Sequence, residues 1–203
     1  MSSGVSYKPS ADEVKRLREA TSAGMIECRN ALVNASGDFE QAKEHLIARG
    51  QAALAKKAER VANEGLVGSY IHAGGKIGVL LELNCETDFV ARNERFAELL
   101  RDLSLHVAAV SPTYVDRAAV PAETISQLEA EFAAAVPAGK PADVAAKIVE
   151  GKLKKWFEEH VLLEQPFVKD DSKSVGELLG AVAGILGENI RVRRFVKFAL
   201  GDQ

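Results

Sequence analysis

Glycine next to lysine first raises phosphate chemistry in this 203-residue chain, at Gly74-Gly75-Lys76. Neither the phosphate-cradling spacing Gly-x-x-x-x-Gly-Lys-Ser/Thr nor the dinucleotide fingerprint Gly-x-Gly-x-x-Gly surrounds it, so the triplet reads as a hairpin turn. The four histidines, His45, His72, His106 and His160, are scattered. None has metal-ligand spacing or a nucleophile arrangement, and each reads as structural or solvent-facing. Cys28 and Cys85 are too few for a disulfide framework and are unpaired for zinc, so both read as buried thiols. Asp170-Asp171 and Glu158-Glu159 offer paired carboxylates for acid–base work, yet both fall at expected element ends, where solvated charge is ordinary. The residue types therefore point away from an enzyme, and no cofactor or metal is expected.

Basic segments are the next candidates. Lys152, Lys154 and Lys155, and the run Arg191-Val192-Arg193-Arg194, have the charge to meet nucleic acid phosphates, but acidic neighbours dilute both. A net charge of −3 also argues against a chain that lives on phosphates. Direct nucleic acid binding is not expected, although an RNA- or ribosome-binding module built on segments 152–155 and 191–194 is the alternative reading. Trp156, Phe157 and Phe167 read as core.

One segment stands apart, Thr87-Asp88-Phe89-Val90-Ala91-Arg92-Asn93, which directly follows a strand-like run. Phe89 and Val90 are adjacent apolar residues in a loop or first turn, and both cannot point at the same core. Either Phe89 folds under its own helix or it protrudes as an anchor, the kind of aromatic in which binding energy concentrates. Spacing alone leaves both open.

The elements that position this segment are legible from period and punctuation. Three short helices are expected in the first fifty residues. Ser10 and Glu13 have capping-box spacing, Val14 and Leu17 follow as a core face, and Ser22-Ala23-Gly24 turns the chain. Met25, Cys28, Leu32 and Ile26 are then read as facing inward. Asp38 caps a third helix through Phe39, Ala42 and Leu46, and Gly50 is read as its left-handed end. Residues 51–63 read as a polar helical connector, with a domain boundary near residue 54. From Leu66 the period shortens: Leu66–Ala73 and Lys76–Cys85 read as strands around Gly74-Gly75, with Ile77, Val79, Leu81 and Leu83 on one face. Asn93 starts a helix carrying Phe96, Leu99, Leu100, Leu103 and Val107. Helices are expected near 122–135, at 141–160 and at 174–186, and a final strand at 189–200 whose alternation slips at Arg194-Phe195. The fold class is α+β: a three-helix bundle, residues 1–54, then a core, residues 55–203, of about three antiparallel strands packed with helices.

At 47% hydrophobic and 27% charged the composition is that of a soluble globular protein. The apolar runs are too short to span a membrane, and the first residues carry no apolar stretch resembling a signal peptide, so the expected location is cytoplasmic. Three helices in about 45 residues bury little surface, which makes the first bundle marginal alone and suited to presenting a face to a partner.

Several segments, in order along nearly the whole chain, resemble those of bacterial elongation factor Ts: 17–25 (LREATSAGM), 84–93 (NCETDFVARN), 106–109 (HVAA), 148–152 (IVEGK) and 165–168 (QPFV). The resemblance implies a guanine nucleotide exchange factor for elongation factor Tu in translation elongation, with an N-terminal domain similar to ubiquitin-associated (UBA) domains. It implies that Thr87, Asp88, Phe89 and Val90 form the loop that meets the GTPase domain, with Phe89 entering an apolar pocket and disturbing the magnesium and phosphate site. It also implies that Lys15, Arg18, Met25 and Ile26 grip the same domain, and it matches His72 to a contact histidine. Ser22 stands where the family more often has Gly, and Ile26 where a second Met is common. A single core module, as in the short members of the family, implies a homodimer that presents two modules to Tu.

Overall fold

A computed structural model describes residues 7–21, 23–58, 60–137 and 139–202. Ser22 and the chain start therefore lie outside the described residues. The chain divides into two compact units, Met1–Arg60 and Val61–Gln203.

The first unit is the expected three-helix bundle: α1 (Ala11–Thr21), α2 (Met25–Asn34) and α3 (Phe39–Ala58). The capping box starts α1, with Ser10 N–H donating to Glu13 Oε2 at 2.8 Å and Glu13 N–H to Ser10 Oγ at 3.3 Å. The Glu13 carboxylate also accepts from the Ser10 hydroxyl at 2.6 Å and from the Tyr7 hydroxyl, and these bonds, the Ser10 hydroxyl's first, with that from Ser10 N–H, hold it down at about 2. Asp38 caps α3 by accepting from Gln41 N–H at 3.0 Å. Val14, Leu17, Cys28, Ala31, Leu32, Ala42 and Leu46 make the core, with Tyr7 and Phe39 packed against it. Gly37, at φ 91°, lies so close to the Tyr7 ring that a Cβ there would sit 2.6 Å from it.

Two expectations fail in this unit. Gly50 does not end the third helix, which runs on to Ala58. One glycine costs roughly 1 kcal/mol against alanine, and the good helix formers that follow it, Gln51 to Ala58, outweigh that. Met25 and Ile26 do not face inward either: they are 47% and 76% exposed, and Cys28 and Leu32 alone of that set are buried.

The second unit is built on a three-stranded antiparallel sheet of order β1-β2-β5, from β1 (Glu64–Ile71), β2 (Ile77–Cys85) and β5 (Arg191–Ala199). The β1–β2 tip is longer than a two-residue turn. His72 N–H donates to the Ile77 carbonyl and Gly75 N–H to the His72 carbonyl, with Gly74 and Gly75 at φ 93° and 69°. Val79, Leu81, Leu83 and Cys85 point to the inner face, where α5 (Glu94–Val110) supplies Phe96, Leu99, Leu100, Leu103 and Val107. Gly68 lets α5 approach β1, since a Cβ there would lie 2.6 Å from Leu100 Cγ. The slip in the last strand is a bulge: Glu82 pairs with Arg194 and Leu83 with Val192, leaving Arg193 as the extra residue.

Between β2 and α5 lies a single helical turn, α4 (Asp88–Ala91). Beyond α5 come α6 (Ala122–Ala134) and α7 (Ala142–His160), which pack on each other, and a short hairpin of β3 (Pro166–Phe167) and β4 (Asp170–Ser174). That hairpin adds a second, two-stranded sheet to the one expected. His106 on α5 ties it down: His106 Nε2 meets Gln165 Oε1 at 3.0 Å, and Val168 N–H donates to His106 Nδ1 at 3.2 Å. Burial pushes the His106 pKa below its ordinary value, which keeps the ring neutral and its Nδ1 free to accept. Finally, α8 (Val175–Leu186) starts in a Ser174–Glu177 capping box and ends at Gly187, φ 80°.

Candidate functional site

The turn 85–93 is fixed at both ends before any side chain reaches solvent. Cys85, the last residue of β2, is fully buried, and its thiol donates to the Thr87 carbonyl at 3.1 Å. Burial first, then the Glu188 carboxylate, pushes that thiol up to about 11, so it remains a donor and is unreactive. Thr87 is the N-cap of α4, its hydroxyl accepting from Val90 N–H at 3.3 Å. Asn93 caps α5 in the same way, accepting from Arg95 N–H at 2.9 Å.

With both ends capped, one turn of helix must send adjacent side chains in directions about 100° apart. Val90 and Ala91 take the inward directions and are 5% and 6% exposed. Phe89 takes the outward one and is 80% exposed. The choice that spacing left open is resolved toward a protruding ring. Val90, expected as a contact residue, is buried under the turn as its apolar footing. Asp88 is exposed beside Phe89 and pairs with Arg92 at 3.0 Å, a surface ion pair of small worth.

The connection between α8 and β5 supplies the rest of the support, which sequence reasoning missed. Glu188 Oε2 accepts from the backbone N–H of Glu86 and of Thr87, both at 3.0 Å, and its Oε1 accepts from the Thr87 hydroxyl at 2.6 Å. Glu86 Oε1 accepts from Asn189 N–H at 2.6 Å. The sequence signal was only a glutamate after Gly187, about a hundred residues away.

The other expected site residues lie elsewhere. His72 sits at the β1–β2 tip, its Nδ1 3.1 Å from the Tyr70 hydroxyl, at the opposite end of β2 from Asp88. The nine residues of β2 separate the two ends, roughly 25 Å, so His72 and Phe89 do not share one pocket. In the first unit, Lys15 and Arg18 are exposed three residues apart on one face of α1, Lys15 near Glu19 at 4.0 Å. Met25 and Ile26 open the first turn of α2.

Three side chains of the basic segments are paired with neighbouring carboxylates. Lys154 and Lys155 face Glu158 and Glu159 at 3.8 and 3.9 Å, and Arg194 bonds Glu82 at 2.8 Å, which holds the Glu82 carboxyl below its usual range. Phe157 and Phe167 are buried. Among the described residues no group of His, Cys, Asp or Glu is arranged to hold a metal ion, and no helix is long and apolar enough to cross a membrane.

Comparison with known proteins meets this geometry from another direction. The family model described as elongation factor TS matches residues 8–202. The elongation factor Ts of Koribacter versatilis is 53% identical over 194 residues, covering 95% of this chain and 89% of the relative. That of Geotalea uraniireducens is 51% identical over 193 residues, covering 95% and 89%. That of Caldanaerobacter subterraneus subsp. tengcongensis is 50% identical over 194 residues, covering 95% and 97%. With a match over almost all of its length and about half of its residues identical to such relatives, the chain belongs to the elongation factor Ts family.

Proposed function

We propose that this protein is the guanine nucleotide exchange factor of elongation factor Tu, acting in the cytoplasm as a protein-binding factor and not as an enzyme. The observation that carries the reading is Phe89, a large apolar side chain 80% exposed on a turn capped at both ends. A ring held in water on a supported backbone is suited to enter an apolar pocket on a partner with little backbone ordering cost. Asp88 stands next to it to meet the partner's polar groups, while Thr87 and Val90 hold the turn.

Magnitudes assign a role to the rest of the chain. Moving a partner from almost wholly nucleotide-bound to almost wholly free needs about 5.5 kcal/mol of differential affinity. Burying one phenylalanine supplies roughly 1.5 to 3 kcal/mol. Phe89 alone falls short. Lys15, Arg18, Met25 and Ile26 on the first unit, and His72 at the sheet tip, are the proposed additional contacts. By linkage, GDP must weaken binding of this protein to Tu by the factor by which this protein weakens GDP.

A homodimer completes the reading. The sheet face turned away from α5 carries Val67, Ile71, Leu80, Val196 and Phe198, all exposed. This contiguous apolar surface is of the kind that marks an interface, and a second copy would cover it.

The test is release of labelled GDP from Tu. Phe89→Ala and Asp88→Ala should each slow the stimulated release while circular dichroism stays that of the parent protein; unchanged stimulation in both removes the assignment of the loop.

A further inference from the structure

Phe89 has almost no packing of its own to hold its direction, and the Asp88–Arg92 pair beside it is exposed. Its orientation must come from below. Val90 and Ala91 supply one part by burial. The other part is polar: a single carboxylate, Glu188, gathers two backbone N–H groups and a hydroxyl from Glu86 and Thr87. The Thr87 hydroxyl that donates to Glu188 also accepts from Val90 N–H, so the carboxylate is linked through one oxygen atom to the first turn of α4. The return bond from Asn189 N–H to Glu86 closes the link in the other direction.

We infer that Glu188 is the positioning residue of the exchange loop: its hydrogen bonds to Glu86 and Thr87 fix the turn that presents Asp88 and Phe89. The inference rests on the proposed reading of 87–90 as that loop. Bonds to an ionised acceptor are the strong ones, and three on one carboxylate define both the position and the tilt of the turn. Without them the turn samples orientations in which Phe89 misses its pocket, and the maximal exchange rate falls to the fraction of complexes whose turn is still competent. Glutamine keeps most of the arrangement. Its amide oxygen accepts from both backbone N–H groups, and its amide nitrogen donates to the Thr87 hydroxyl oxygen.

The experiment compares Glu188→Ala and Glu188→Gln with the parent in the full-length protein, with and without Phe89→Ala. Amide hydrogen exchange is read at Glu86, Thr87 and Val90, and GDP release from Tu is titrated to saturation. Glu188→Ala should lose about tenfold or more of the protection at those three amides, while Val79 to Leu83 in β2 stay protected. The maximal rate of GDP release should fall about tenfold with little change in the half-saturating concentration. Glu188→Gln should restore most of both, and in the Phe89→Ala background Glu188→Ala should add nothing further. Unchanged protection at Glu86 and Thr87 in Glu188→Ala overturns the positioning role. So does a loss of release rate that multiplies with that of Phe89→Ala, because Glu188 would then act by another route. Lost protection with unaltered release in both Glu188→Ala and Phe89→Ala overturns the exchange-loop reading itself, a result distinct from the other two.

Discussion

Among the described residues, Phe89 and Ile26 are the two most exposed large apolar side chains outside the open sheet face and Leu200, and they are supported in opposite ways. Phe89 stands on one helical turn between a buried strand end and a capped helix, with Val90, Ala91 and Glu188 beneath it. Ile26 opens a ten-residue helix in a bundle whose core, among the described residues, is seven buried side chains, two of them alanines. A turn built into a large sheet-and-helix core offers one fixed direction. A small bundle offers area on a marginal scaffold. On the proposed reading the two supports suit two tasks at a nucleotide-loaded partner: one point that distorts, and a surface that holds.

Measurements on the two points side by side test this division. The largest effect is expected for Phe89→Ala, which should lower the maximal stimulated rate of GDP release about ten- to a hundredfold, the worth of one buried phenylalanine. Stability to urea should stay within about 0.5 kcal/mol because the ring is solvent-exposed. Ile26→Ala should act on the other axis, raising the half-saturating concentration of the factor about fivefold and leaving the maximal rate nearly unchanged. Exchanged behaviours in a saturation titration would merge the two tasks. Gly68→Ala tests the frame under the loop. A methyl 2.6 Å from Leu100 should destabilise the second unit by about 1 to 3 kcal/mol, seen as a lower urea midpoint, without a matching loss in the first.

The smallest effect is the most specific. His106 has a folded pKa below its ordinary 6.5, so the unfolded chain takes up that proton first as pH falls. Its stability contribution is present above 6.5 and is lost on going below it. From pH 6.5 down to 4.5 the second unit should therefore weaken while the first does not, because the Glu13 contribution begins to fall only below its ordinary 4.5. Unit-resolved hydrogen exchange across that range checks both halves.

Much of the frame was legible in the sequence because it rests on local rules. Ser10 with Glu13, Asp38 and Asn93 each cap the helix they were read to start. The period-2 run in β2 and the helical spacing in α5 name the inner layer residue by residue. What escaped depends on contacts distant in sequence. Asp170 to Ser174 carries no apolar alternation, and its pairing as β4 goes with a neighbour strand held to the buried His106. The slip in β5 was visible, but placing the extra residue at Arg193 required knowing the partner strand. The loop motif itself was plain. The direction of Phe89 was not, because a single turn has no periodicity to read, and Glu188 gives no signal of its purpose from a hundred residues away.

The shortness of α4 has a mechanical consequence. Phe89 stands four residues beyond Cys85 and seven before Phe96, both fully buried, so no slack lies on either side of it. Load applied to the ring passes directly into the sheet and into α5, whose close packing is stiff. In an encounter between such a point and a nucleotide-binding loop, the compliance sits on the other protein. On the proposed reading the factor would serve as an anvil, and the phosphate-holding backbone of Tu would be the part that gives.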